Sequence, residues 1–303
     1  MLQTDYMDIA ATSALSIPEL AAHLVRTAPA QELEAPVALG VRSASISAPL
    51  AAGELRQAID AASERLGPPT LYGGSASGPT VRWRSPSHTV ILDSPGVAEG
   101  GLQLSVRRTA TLERSEAERF QHANELDVKD LPFLWQWQPL PTAPSPPPAP
   151  VAPNWESLHA SLDALLRAWC EQLEAQLGQD DAGFDIVVSE DGKPRRLVVL
   201  VSPADSLTVL VDDRDSAHED DHHAEMTGRG WHDFIPLHRW WGSYFERTPA
   251  GAAAAAHLIV TEVRARGAQS PHDLRLADVG AGEGEGLLTL PGLGITNSPA
   301  HPH

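Results

Sequence analysis

The stretch "LADVGAGEGEGLL", Leu276 to Leu288, holds the residues whose types and spacing come nearest to an enzyme motif. Asp278 followed by Gly280, Gly282 and Gly284 is the pattern with which a strand hands over to a cofactor loop in many S-adenosylmethionine-dependent methyltransferases, because glycines let the backbone approach a ligand closely. Such a loop works only between a buried parallel strand and a helix whose N-terminus faces the ligand. "DLRLADV" upstream has three strongly apolar residues, Leu274, Leu276 and Val279. The segment downstream is broken by Pro291, Gly292, Gly294, Pro299 and Pro302, so no helix of three turns fits. The stretch is therefore expected to be a surface loop, and no cofactor is expected.

The second chemical candidate is "DDRDSAHEDDHHAEM", Asp212 to Met226. His218, His222 and His223, with Asp220 and Asp221, are ligand types for zinc or nickel, and His218 and His222 would share one face of a helix. An apolar frame to hold ligands rigid is missing, so a solvated acidic loop is expected and no resident metal. Cys170 is the single cysteine, which excludes an internal disulfide and suits a reducing compartment. Its neighbours "LLRAWCEQL" make it a helix-packing residue. No GxSxG turn, HExxH pair or phosphate loop occurs, and the chain is expected not to be an enzyme.

The third candidate is physical rather than catalytic. "GRGWHDFIPLHRWWGSYFERTP" gathers Trp231, Phe234, Trp240, Trp241, Tyr244 and Phe245 in a chain with only 5% aromatic residues. Such residues serve equally as core and as peptide-contact surface. Two adjacent tryptophans cannot both face inward from a helix, so one is expected at a groove or partner surface. Charge narrows the partner. Forty acidic residues against 22 basic ones give −18, and residues 154–225 alone carry 17 acids and five Lys/Arg. That is the reverse of a phosphate-binding footprint, so no nucleic acid is expected, and a basic polypeptide fits better. The absence of an apolar run of membrane length, and of a basic leader, predicts no membrane segment and a cytoplasmic location.

The elements that must position these residues fall on either side of "PLPTAPSPPPAPVAPN", Pro139 to Asn154, where eight of sixteen residues are proline. Residues 1–46 read as a partly ordered segment holding one short helix at "SIPELAAHLVRTA". Residues 47–138 read as helix, three strands ("TVRWR", "HTVILD", "GLQLSVRR") and helix. Residues 139–153 are the linker. Residues 154–290 repeat the order: a long helix capped by Asn154, strands "FDIVVSE", "RRLVVLVSP" and "SLTVLVDD", the aromatic segment, and an Ala-rich helix with Thr248 as cap and Pro249 in its first turn. Residues 291–303 read as a disordered tail. The fold class is α+β, two domains each with an antiparallel sheet packed by helices on one face.

On these residues the second half resembles a known family. The helix near "NWESL", the three-strand meander, Gly230–Trp231 after an acidic loop, Trp240, the helix from Pro249 to Arg266, and then Pro271, Asp273 and Leu274 are similar to the TY-Chap domains of actinobacteria. These are peptide-binding, chaperone-like domains related to type III secretion chaperones and YbjN. The resemblance covers about residues 154–276, and the first half reads as a possible diverged relative. It implies an α+β sheet, no catalysis, a polypeptide client captured in an aromatic-lined groove, and a possible homodimer. An immunity or regulatory protein that sequesters one toxin or effector is the alternative. A methyltransferase or metal hydrolase is the enzyme reading that the motifs above disfavour.

Overall fold

The structure is a computed structural model and describes residues 19, 21–22, 52–93, 102–139, 150–178, 182–190, 193–201, 206–214, 220–281 and 286–297. The fold is α+β with two large sheets. In the first half, helix α1 (Ala52–Leu66) buries Leu55, Ala58, Ile59 and Ala62, the i, i+3, i+4, i+7 stripe its sequence displays. Gly67, at φ +78°, ends it by donating its N–H to the Ser63 carbonyl. Strands β1 (Leu71–Ser75), β2 (Gly78–Arg84), β3 (His88–Asp93) and β4 (Gln103–Arg108) then form an antiparallel meander, followed by helix α2 (Thr109–Gln121). Strand β5 (Trp135–Gln138) returns to pair with the free side of β1. Val81 and Trp83 on β2 are buried in the cluster that includes α1. Alternating with them along the strand, Arg82 and Arg84 bridge to Glu116 and Glu113 of α2. Helices thus cover both faces of this sheet, where one covered face was expected.

The second half opens with the 23-residue helix α3 (Trp155–Leu177). The Asn154 side chain accepts the Ser157 N–H at 2.9 Å and Gly178 closes the helix in the left-handed region. Strands β6 (Ala182–Glu190), β7 (Lys193–Val201) and β8 (Leu207–Asp212) follow as a meander. Helix α4 (Asp220–Gly228), β9 (Asp233–Ile235), β10 (Trp240–Phe245) and α5 (Pro249–Ala265) come next. Three strands finish the chain's described part: β11 (Leu274–Ala281), β12 (Leu287–Thr289) and β13 (Thr296–Asn297). The first sheet has the order β12-β5-β1-β2-β3-β4 and the second β13-β11-β6-β7-β8-β10-β9. All pairs are antiparallel except β11 with β13.

Helix α3 joins the two sheets. It packs against α5 on one side and against α1, β1 and β2 on the other. Leu158, Leu162, Leu165, Leu166, Trp169 and Leu173 are all buried, and each contributes about 2 kcal/mol through lost apolar surface. Its ring contact runs from Trp169 to Phe184 of β6, at 5.7 Å between centroids. Toward the first sheet it presents polar side chains: Gln176 donates to the Gly73 carbonyl (2.7 Å) and accepts the Gly73 N–H (3.2 Å), while Gln172 donates to the Ser75 carbonyl (2.9 Å). The glycines of "LYGGS" permit this approach. A Cβ on Gly74 would collide with the Gln172 side chain and the Trp135 indole, and one on Gly73 would lie 2.9 Å from the Phe133 ring. One buried cluster consequently contains Leu131, Leu134 and Trp135 from the first half together with the core of the second.

Two sequence expectations are corrected at the C-terminal end. The glycine stretch is not a loop at its start: β11 runs through Gly280 to Ala281, paired with β6, and Leu274 and Leu276 are buried. Asp278, at φ +47°, marks the irregularity in that pairing. Gly282 and Gly284 lie outside the described residues. Residues 291–297, expected to be a disordered tail, are packed: Leu293 and Ile295 are buried, and the Gly294 carbonyl accepts the Ala152 N–H at 2.9 Å. β12 pairs with β5 of the first sheet, outside the half to which its sequence position assigned it. The short N-terminal helix is described only at Glu19 and residues 21–22, which are helical, and the linker residues 140–149 lie outside the described residues. No described helix is long and apolar enough to cross a membrane.

Candidate polypeptide-binding surface

The aromatic segment begins at the end of α4. The Trp231 N–H bonds the Met226 carbonyl (3.0 Å) and the Gly230 N–H bonds the Thr227 carbonyl (3.0 Å), with Gly230 at φ +98°. This is the Schellman arrangement, and it explains why glycine precedes tryptophan there. Trp231 and Met226 are both completely buried. The Trp231 Nε1–H donates to Glu262 Oε2 (2.9 Å), a carboxylate that also accepts from Arg229 (2.5 Å) and, through Oε1, from Arg266 (2.7 Å). Glu262 lies on α5 and is itself buried. Its full charge is tolerable there because two guanidiniums and an indole occupy its oxygens.

Trp241 is anchored by the same chemistry. Its Nε1–H donates to Asp213 Oδ2 (3.0 Å), which also receives His222 Nε2 (2.7 Å). The His223 ring lies 4.8 Å and the Phe234 ring 5.2 Å from the Trp241 ring. Two of the six expected contact residues, Trp231 and Trp241, are therefore core residues tied to buried carboxylates. Phe234 and Phe245 are half-buried against the same core. The pair Trp240–Trp241 sits on strand β10, not on a helix, so alternation sends the two rings to opposite faces of the sheet.

Of the six, Tyr244 is the exposed one, and Trp240 is half-buried on the same face of the strand. Register places Ile235 opposite Trp240, Leu210 opposite Gly242 and Thr208 opposite Tyr244. Tyr244 is 51% exposed, and its ring lies back over Gly242: a Cβ there would meet Tyr244 Oη at 3.3 Å and Leu210 Cδ2 at 3.2 Å. Leu237, in the turn between β9 and β10, is 85% exposed. Arg239 completes that turn at φ +54°, and its carbonyl accepts the Asp213 N–H. β9 pairs with β10 only from Trp240 to Gly242. Beyond it, Tyr244 and Phe245 have no strand partner on that side among the described residues.

Of the histidine candidates, His218 lies outside the described residues, His222 is bound to Asp213, and the His223 ring lies tilted against Trp241. No group of three or more metal-ligand side chains is brought together among the described residues. Nearby, burial pushes the Asp212 carboxyl up, but hydrogen bonds and charge from Arg214 outweigh it and hold the group below its usual range. Burial pushes the Cys170 thiol up, against the opposing Arg247 guanidinium, which fits a packing role. Sequence reasoning missed the carboxylate anchors. Their signal was Glu262 inside the apolar run of α5, four residues before Arg266. No family model, curated protein or solved structure matches this chain.

Proposed function

We propose that this protein is a non-catalytic, cytoplasmic, chaperone-like or adaptor protein that holds an extended segment of another polypeptide. The client segment would add as a strand beside β10, with its side chains over Tyr244, Trp240 and Leu237. One observation carries this reading: the edge of β10 left open beyond Gly242 lies beside the exposed side chains of Tyr244 and, in the β9–β10 turn, Leu237. The net charge of −18 supports a basic client and a fast, salt-sensitive encounter. The resemblance of residues 154–276 to chaperone-like peptide-binding domains points the same way.

The test is affinity capture from host lysate with wild type and with Tyr244→Asp or Leu237→Asp, both at exposed positions. Partners recovered by wild type and lost by these folded variants support the reading. Several weakly held partners favour a chaperone, and one stoichiometric partner favours sequestration of a single effector. Identical recovery from wild type and both variants refutes it. Trp241 is unsuitable as a probe, since truncating a buried, hydrogen-bonded indole costs about 3–5 kcal/mol in folding alone.

A further inference from the structure

Two histidines meet where α3 packs against α5. Trp155 and His159 stand one turn apart on α3, and His257 and Arg264 two turns apart on α5. The Arg264 guanidinium carbon lies 5.8 Å from the Trp155 ring centroid, and the His159 and His257 ring centroids lie 6.2 Å apart with the planes at 73°. The two helices therefore run antiparallel along one seam, and the histidines form its next step after the Trp155–Arg264 contact. His159 is half-buried and His257 exposed, so solvent reaches the pair. Neither imidazole makes a hydrogen bond among the described residues, whereas His122 bonds the Glu118 carbonyl and His222 bonds Asp213. Their neighbours Leu158, Leu162, Ala256 and Leu258 are buried, which fixes the backbone that carries each ring.

We infer that His159 and His257 form a two-histidine site for one divalent transition-metal ion, which pins α3 to α5. Imidazole suits copper, nickel and zinc, whereas magnesium and calcium take oxygen ligands. With metal–nitrogen bonds of about 2 Å, two imidazoles on one tetrahedral ion have ring centroids about 5 Å apart. The separation of 6.2 Å closes by side-chain rotation, without movement of either helix. Asp163, one turn beyond His159, accepts from Arg167 Nε (2.8 Å), so the chain supplies two ligands and water completes the shell. The site shares no residue with the β10 surface and goes beyond the client-binding reading.

The test titrates the full chain with zinc chloride, and with magnesium chloride as control, while histidine ring nitrogens are followed by NMR and affinity by calorimetry. Zinc is expected to shift the ring signals of His159 and His257 together and to raise Tm, since it binds the folded state. Magnesium does neither, and copper binds more tightly than zinc. His257→Gln, at an exposed position, and His159→Gln each lower zinc affinity by more than about tenfold, the cost of losing even an outer-shell partner. The double variant binds little more weakly than either single one, because a chelate is lost with its first ligand. The variant His218→Gln, His301→Gln, His303→Gln keeps the His159 and His257 shifts. Zinc shifts confined to other histidines, unchanged affinity in His257→Gln, or losses that add in equal steps from single to double variant each overturn the assignment.

Discussion

Glu262 gives the sharpest test of how the aromatic segment is held. Its two oxygens accept from Arg266 Nε, Arg229 Nη2 and Trp231 Nε1, and its side chain is 1% exposed. In Glu262→Gln the amide keeps one oxygen, so either the Arg266 contact or the Arg229–Trp231 contact faces an NH2 group and is lost. The two guanidiniums also lose their counter-charge. Removing one partner of a buried ion pair costs about 3–5 kcal/mol. Arg229 is about a quarter exposed and regains water, which moves the expectation to about 3 kcal/mol. For a chain of this size that is a fall in Tm of roughly 6–12 °C. Urea unfolding followed by tryptophan fluorescence reads the loss directly, since Trp231 reports on the site. A loss below about 1 kcal/mol would refute the view that this carboxylate organises the segment. The double variant Glu262→Gln, Arg266→Met should recover part of the loss, because the stranded charge goes too.

Gly74→Ala should destabilise by about 2–4 kcal/mol, because the added methyl meets Gln172 and Trp135 at the seam between α3 and the first sheet; equilibrium unfolding measures it. Cys170 should react with iodoacetamide slowly at pH 8 in the folded protein and readily once unfolded, since burial pushes its thiol up and leaves little thiolate. Asp273 accepts the N–H groups of Ser270 and Gln269, and the Ser270 bond holds its carboxyl below the usual range. A depressed acid stabilises the fold above its ordinary pKa and ceases to do so as pH falls through its folded value. The stability difference between wild type and Asp273→Asn should therefore be constant near neutrality and narrow below about pH 4.

Elements with long apolar periods were legible in the sequence: α3, through Leu158 to Leu173 at intervals of three and four, and α5, through the Thr248 cap. β1 was not, because "LYGGS" has no alternation; its glycines answer to a helix about a hundred residues away that no local pattern reveals. β5, β12 and β13 are short strands whose existence depends on distant partners. The tryptophan pair shows the limit at the site itself. Adjacency implies opposite faces on a strand, but which ring is buried follows from Asp213 and the core side of β10, and neither is visible along the chain. Helix α4 was obscured by the acidic, histidine-rich composition around it, which carries no apolar stripe.

The late strands have a consequence for how the molecule is made. β5 acquires its second neighbour only when Leu287–Thr289 arrive, and β11 its outer neighbour only when Thr296–Asn297 do. During synthesis the first sheet would stand with an exposed edge while the whole second half emerges from the ribosome, and closure is a long-range event of the kind that slows folding. Segment 286–297 acts as a clasp fastened last, with Leu288, Leu290, Leu293 and Ile295 as its studs. A nascent chain arrested before residue 287 would be caught with both sheets unclosed.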